Sequence, residues 1–365
     1  MRILEIIPQL SSGGAERFTV DLCNELSIHN EVVLLTFYSL DEYGFYASEL
    51  SENIKLVCLN KQNGASLGTF CKVLKFIKLS KPDVVHMHLR SILYCLPAIF
   101  FIRRIKYFMT IHSDADKEAD GLWGKLVRKL CFNSRLVTPV TISPNSQQTF
   151  NVYYKLKTSK MIFNGRNVCR SEVLVSNATA VEVAACKQNS TDRVIINLAR
   201  INEVKRQTLL ARVANRLYNE GYLFTLLIVG NKRDEKMVKE IESYGCPLVH
   251  MLGEKSNPLE YLKLADAYCL CSSYEGMPIS LIEALGMETI PICTPVGGIV
   301  DVVLDGYNGI LAEGLSEDDL YYALKRFLDL PDEKINEFKR NAIKTYPAYS
   351  MVECAQNYLS LFNTI

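Results

Sequence analysis

Short apolar runs alternate with longer helix-patterned stretches along almost the whole chain, and this rhythm leaves few folds open. In the first half the runs fall at 2–7, 31–37, 84–88, 106–111 and 138–142, with helical patterns at 15–27, 68–80, 90–101, 122–132 and 144–154. The runs are continuously apolar, as strands covered by helices on both faces require. Strand–helix repetition of this kind implies a parallel sheet. The rhythm restarts with RVIINLAR (193–200), FTLLIVG (224–230), LVHML (248–252), AYCLCSS (267–273) and TIPICTP (289–295). Helices fit between and after them at 205–220, 233–244, 257–265, 278–287 and 316–329. The stretch 166–192 is polar and poorly periodic, and reads as a linker or irregular edge. The expected fold class is α/β, with two doubly wound domains and a cleft between them. A length of 365 residues suits two domains, at about 150 residues each.

Composition excludes several classes. With 48% hydrophobic and 22% charged residues the chain is neither disordered nor fibrous. Lys and Arg number 41 against 40 Asp and Glu, so no nucleic acid partner is expected. The 12 cysteines are scattered without CxxC and read as buried small residues in a reducing compartment. MRILEIIPQL carries Glu5 inside its apolar run and lacks a small-residue cleavage site, so it does not read as a signal peptide. The longest apolar run, 92–102, contains Pro97 and falls short of a membrane span, which needs about 20 residues. The chain is therefore expected to be cytoplasmic.

In doubly wound folds ligands bind at the carboxyl ends of strands, and the candidate motifs sit there. SSGGAER at 11–17 leads from a strand into a helix through Gly13 and Gly14. Such a loop can bring backbone N–H groups to an anion, and it fits an empty tight turn equally well. No GxGxxG fingerprint is present. LARINEVKRQ places Arg200 and Lys205 at the start of a helix. There they could clamp a diphosphate or form a solvated basic face. The strongest signal is SSYEGMPISLIEAL at 272–285, where Glu275 and Glu283 flank a helix start at Gly276 and Pro278. One carboxylate can reach a sugar hydroxyl while the other grips a ribose. The apolar setting of Ile279, Leu281, Ile282 and Leu285 disfavours a plain surface helix.

These residues resemble the E-x7-E motif of the retaining, two-domain nucleotide-sugar glycosyltransferases of family 4, also described as glycosyl transferases group 1. GGAER resembles the family's glycine loop, and MIFNGRNV (161–168) its interdomain segment. LARINEVKRQ resembles its arginine–lysine segment, with the usual spacing. VGGIVDVVLDGYNGIL (296–311) resembles its GG-x-x-E-V stretch, with Asp301 where glutamate is usual. Pro278 departs from the second glycine of the common EGFG form. The resemblance implies the GT-B fold, two Rossmann-like doubly wound domains with an interdomain cleft. Residues 1–165 would form the acceptor-side domain and 166–346 the nucleotide-sugar domain. A C-terminal helix within 347–365 would complete the first.

The resemblance also implies a function and a site. A hexose-type sugar, from a UDP-sugar by preference, would pass with retention to a glycan or lipid-carrier-linked acceptor in surface polysaccharide biosynthesis. His112, Glu275, Arg200 and Lys205 would serve catalysis. Gly13, Gly14, Arg200, Lys205, Gly276, Met277, Pro278, Ile279 and Glu283 would hold the donor. No metal and no cofactor are expected. Asp114 and Asp116 form a DxD that reads as an acidic loop, and His86 and His88 in VVHMH read as facing opposite ways along their strand. The alternatives are a catalytically silent GT-B-like binding or regulatory protein, and less favoured a Rossmann oxidoreductase. Residues 1–165 hold 20 Lys and Arg against 14 Asp and Glu, a net of +6, while 166–365 carry −5. FCKVLKFIKLSK and GLWGKLVRKL concentrate the positive charge, which fits contact with an anionic surface at the inner face of the cytoplasmic membrane and an ordinary solvated basic face equally well.

Overall fold

The computed structural model describes all residues except 63, 65, 119, 120 and 365. It contains two compact units, Met1–Asn167 with Tyr349–Ile365, and Val168–Ala348. The chain passes from one unit to the other two residues later than the sequence reading, at both crossings.

The first unit runs β1 (Arg2–Ile7), α1 (Gly14–Leu26), β2 (Glu31–Thr36), α2 (Leu40–Tyr43), β3 (Lys55–Cys58), α3 (Leu67–Ser80), β4 (Val84–His88) and α4 (Ser91–Phe101). It continues through β5 (Lys106–Ile111), α5 (Ala115–Glu118), α6 (Gly121–Asn133), β6 (Thr138–Thr141), α7 (Pro144–Tyr154) and β7 (Lys160–Met161). Its sheet is parallel throughout, in the order β3-β2-β1-β4-β5-β6-β7. The order reverses between β1 and β4. In doubly wound sheets such a reversal marks the crevice where ligands bind.

The second unit runs α8 (Asn177–Cys186), β8 (Val194–Leu198), α9 (Gln207–Asn219), β9 (Thr225–Val229), α10 (Glu235–Ser243), β10 (Val249–Gly253), α11 (Pro258–Leu264) and β11 (Ala267–Leu270). Then follow α12 (Ile279–Gly286), β12 (Ile290–Cys293), α13 (Ile299–Val302), β13 (Ile310–Leu311), α14 (Glu317–Leu328) and α15 (Asp332–Thr345). Its parallel sheet has the order β10-β9-β8-β11-β12-β13, with the reversal between β8 and β11. Two parallel sheets with flanking helices are the architecture that the apolar runs implied. The last helix, α16 (Met351–Thr364), packs on α1 in the first unit. Gly165 in the NG segment meets its start so closely that a Cβ would lie 2.6 Å from Cys354 Cβ and 2.7 Å from the Ser350 carbonyl.

The sequence reading needs correction in several places, beginning with the short strands β3, β7 and β13, which it lacks. The stretch 166–192 contains α8, whose buried face is only Thr179 and Val183, too thin a stripe to register as periodic. It is held instead by the Ser176 cap and by Glu182, which pairs with Lys255 at 2.7 Å. α15 was also missing from the pattern, because its buried face interposes Asn341 between Phe338 and Ala342. The cysteines are free, but Cys71 and Cys169 are exposed, so the set is not uniformly a packing feature. No helix among the described residues is long and apolar enough to cross a membrane.

Candidate active site

In the second unit the chemistry gathers beyond β8 and β11, which pair in the sheet although distant in sequence. The loop after β8 is pinned from within. Gln207, fully buried, donates from Nε2 to the Arg200 carbonyl (3.0 Å) and to Asn197 Oδ1 (3.2 Å), and its Oε1 accepts the Asn202 amide at 3.3 Å. Asn202 Oδ1 accepts the Lys205 amide at 3.0 Å. Thus placed, Lys205 Nζ donates to Glu275 Oε1 at 2.5 Å, and Ser272 Oγ donates to the same oxygen at 2.5 Å. The Glu275 side chain is 10% exposed and that of Lys205 23%. A charge pair so far withdrawn from water survives only with good geometry and further hydrogen bonds, and Ser272 supplies one.

The loop carrying Glu275 rests on the segment after β12. Gly298 N–H donates to the Gly276 carbonyl at 2.6 Å. Gly297 has φ +54°, and a Cβ there would lie 1.7 Å from the Glu275 carbonyl oxygen. Only glycine fits. Pro278 is the N-cap of α12 at φ −65°, and Gly276, Met277, Pro278 and Ile279 are buried around it. Proline has no N–H to offer, so hydrogen bonding at this helix start falls to later residues. Glu283, 6% exposed, lies farther along α12. Arg200 is exposed at the opening of the loop that ends in Lys205. Arg200, Lys205, Glu275 and Glu283 thus belong to one end of one sheet, with Lys205 and Glu275 in contact.

Gly13, Gly14 and His112 belong to the other unit. Gly13 is the N-cap of α1 and Gly14 its first residue. Beside them Ser11 Oγ donates to Glu16 Oε1 at 2.9 Å, so a carboxylate of the chain itself stands at this helix start. His112 follows β5. Its amide donates to Glu118 Oε2 at 2.6 Å, and Glu118 pairs with the fully buried Arg128. Phe18 meets the His112 ring edge-on, with centroids 5.3 Å apart. Lys117 pairs with Asp116 at 3.5 Å within the DxD, while burial and the Asp116 charge raise the Asp114 carboxyl.

The expectation for His86 and His88 is overturned. Residues two apart in a strand share a face, and both imidazoles reach Glu5 on the neighbouring β1. His86 Nδ1 lies 2.9 Å, and His88 Nε2 2.8 Å, from Glu5 Oε2. The three side chains bring atoms of metal-binding type within 4.8 Å of one another, all fully buried. His86 Nε2 continues to Thr110 Oγ1 (2.7 Å) and thence to Tyr358 on α16 (2.6 Å), while His88 Nδ1 reaches His112 Nε2 at 2.9 Å. Burial alone would raise the Glu5 carboxyl, but His86 and His88 outweigh it and hold it at about 2. Burial lowers His88 to about 4, and desolvation with the His88 and His86 rings holds His112 well below the usual histidine range. Ser272, Gln207 and Gly297 were not singled out from sequence, Glu5 was noted only as a charge inside an apolar run, and His88 was set aside with His86. The visible signals were a carboxylate and two histidines inside otherwise apolar strands, where an ionisable group needs a partner.

Known proteins resemble the chain over its length. Residues 12–168 match the family described as "Glycosyltransferase Family 4", and residues 182–345 the family described as "Glycosyl transferases group 1". A Campylobacter jejuni GalNAc-α-(1→4)-GalNAc-α-(1→3)-diNAcBac-PP-undecaprenol α-1,4-N-acetyl-D-galactosaminyltransferase is 25% identical over 99% of this chain and 98% of its own. A second protein of that organism, an N-acetylgalactosamine-N,N'-diacetylbacillosaminyl-diphospho-undecaprenol 4-α-N-acetylgalactosaminyltransferase, is 28% identical over 97% of both chains. Anabaena Alr3699/HepE, solved in complex with UDP, superposes with a TM-score of 0.83 over 100% of both chains at 18% identity.

Proposed function

Because the chain belongs to the GT-B glycosyltransferases of family 4, we propose that it moves a hexose-type sugar from a UDP-sugar to a lipid-linked glycan with retention of configuration. An N-acetylhexosamine is the favoured sugar, in line with the two full-length relatives. The observation that carries the reading is the Lys205–Glu275 pair beside Arg200 and the start of α12. As the bond from the anomeric carbon to the diphosphate breaks, negative charge grows on the departing oxygens. Arg200 and Lys205 would stabilise that charge, which preorganised donors do most effectively in a site shielded from water. The acceptor oxygen would bond to the same face of the anomeric carbon and pass its proton to the leaving phosphate. Glu275 would then hold the sugar and Glu283 the ribose. Two cations at the diphosphate make a divalent metal dispensable in this scheme.

Contact with the inner face of the cytoplasmic membrane belongs to the same proposal. On α6, Leu122, Trp123, Leu126 and Leu130 are exposed beside Lys125 and Lys129. On α3, Leu67 and Leu79 are exposed with Lys72, Lys75 and Lys78. Apolar tips among cations suit an anionic lipid surface, which would keep the enzyme near a lipid-linked acceptor.

The test is sugar transfer from UDP-, GDP- and ADP-sugars to polyprenyl-diphosphate-linked acceptors, with and without EDTA. UDP-N-acetylhexosamine turnover that survives EDTA is expected. Activity abolished by EDTA and restored by manganese would refute metal independence, and no transfer from any donor would favour a silent binding protein.

A further inference from the structure

Two hydrogen-bonded arms converge on the Glu5 carboxylate inside the first unit. One runs from Tyr358 Oη through Thr110 Oγ1 and His86 to Glu5, and the other from His112 through His88 to Glu5. Every atom between the two ends is fully buried, so no water can reverse a link. We infer that Glu5, acting through His88, fixes His112 in the tautomer protonated at Nε2 and so leaves its Nδ1 lone pair as an acceptor for a substrate hydroxyl.

The polarity follows from the anchor. An ionised carboxylate accepts and cannot donate, and Glu5 stays ionised because its pKa is about 2. His88 must therefore donate from Nε2. Being neutral, with a pKa near 4, it has no second proton, so its Nδ1 is a bare acceptor. The only remaining donor on that link is His112 Nε2–H, 2.9 Å away. A neutral His112 then keeps no proton on Nδ1, to which no described residue hydrogen-bonds, in a residue that is half-buried. Such an atom recognises an O–H and repels a phosphate oxygen. The other arm obeys the same rule. There His86 gives Nδ1–H to the Glu5 carboxylate, while its Nε2 meets Thr110, which in turn meets the Tyr358 hydroxyl. Glu5 and His88 are positioning residues. The identity of the hydroxyl, on a sugar, rests on the glycosyltransferase reading, whereas the tautomer does not.

A cation held by Glu5, His86 and His88 would demand the opposite chain. Metal-binding nitrogens carry no proton, so His88 would donate from Nδ1 and His112 would be protonated at Nδ1. The two arrangements differ in an observable.

The experiment is a long-range proton–nitrogen correlation spectrum of the full-length protein with 15N-labelled histidine near neutral pH, with His112→Gln assigning the signal. We expect His88 and His112 as neutral Nε2–H tautomers. Glu5→Gln supplies an amide that can donate to His88 Nε2, so His112 should shift toward Nδ1–H, while Tyr358→Phe should leave it unchanged. Transfer by Glu5→Gln should fall about 10–100-fold in kcat/KM for the donor, the range for partners that orient a functional imidazole. His112 protonated at Nδ1 in the wild type, or an unchanged spectrum in Glu5→Gln, overturns the inference; the wild-type spectrum decides even if that variant does not fold. The expected tautomers in a protein that transfers no sugar would uphold the inference and refute only the proposed function.

Discussion

At the scale of single residues the site depends on two demanding positions. Glu275 holds Lys205 and is itself steadied by Ser272. Glu275→Gln keeps the shape and the Ser272 bond but removes the charge. We expect UDP to bind as well or better, because Lys205 loses its competing carboxylate, while kcat falls about 10²–10³-fold, as for loss of one preorganised transition-state contact. Calorimetric titration of UDP beside steady-state kinetics checks both halves, and an unaltered kcat would remove Glu275 from the mechanism. Gly297 is demanding for a different reason. At φ +54° an L-residue costs about 1–2 kcal/mol before any clash, and its Cβ would also strike the Glu275 carbonyl. Gly297→Ala should therefore destabilise the second unit by at least that amount and misplace Glu275, which urea unfolding and activity measured together will reveal.

Elements carry a second layer of function. The face of α6 that meets the rest of the unit uses Gly124, Arg128, Cys131 and Phe132, whereas Trp123 is 81% exposed and Leu122 72%. A helix that buries an arginine and exposes a tryptophan is arranged for something other than its own core. Replacing Leu122, Trp123 and Leu126 by Ser should abolish co-sedimentation with anionic liposomes while leaving the melting temperature unchanged. Removing the α3 lysines should weaken it by about 1 kcal/mol each and make the remainder less sensitive to salt, with Lys125 and Lys129 of α6 still in place. Binding that is absent in the wild type with every lipid would end the membrane proposal and leave the glycosyltransferase assignment intact.

For the molecule as a whole, the buried network makes pH a stability variable. The folded pKa of His88, about 4, lies below the ordinary 6.5, so between those values the unfolded chain binds a proton that the folded one refuses. Stability must fall as pH drops through that window. Glu5 acts in the same direction lower down. Its folded value of about 2 lies below the ordinary 4.5, so its contribution is present above pH 4.5 and lost toward pH 2. Both groups belong to the first unit. Urea midpoints from pH 8 to pH 5 should therefore decline for that unit more than for the second, followed by hydrogen exchange at amides of each unit. A flat midpoint would mean that the histidines are charged in the folded state.

Local pattern was enough to foresee the parallel α/β architecture, because apolar strands and amphipathic helices are dictated by nearest neighbours along the chain. It also made candidates of Glu275, Glu283, Arg200 and Lys205, which lie in motifs whose residues are close in sequence and which the fold brings to one end of the second sheet. The shared face of His86 and His88 is equally legible from the period of a strand. What the sequence could not disclose is who meets whom. Glu5 finds His86 and His88 across 81 and 83 residues, and Lys205 finds Glu275 across 70. Those meetings exist because β1 lies beside β4, and β8 beside β11. Strand order is decided by how helices pack over the whole sheet, and hydrogen-bond partners in a buried site follow that order rather than the spacing of residues along the chain.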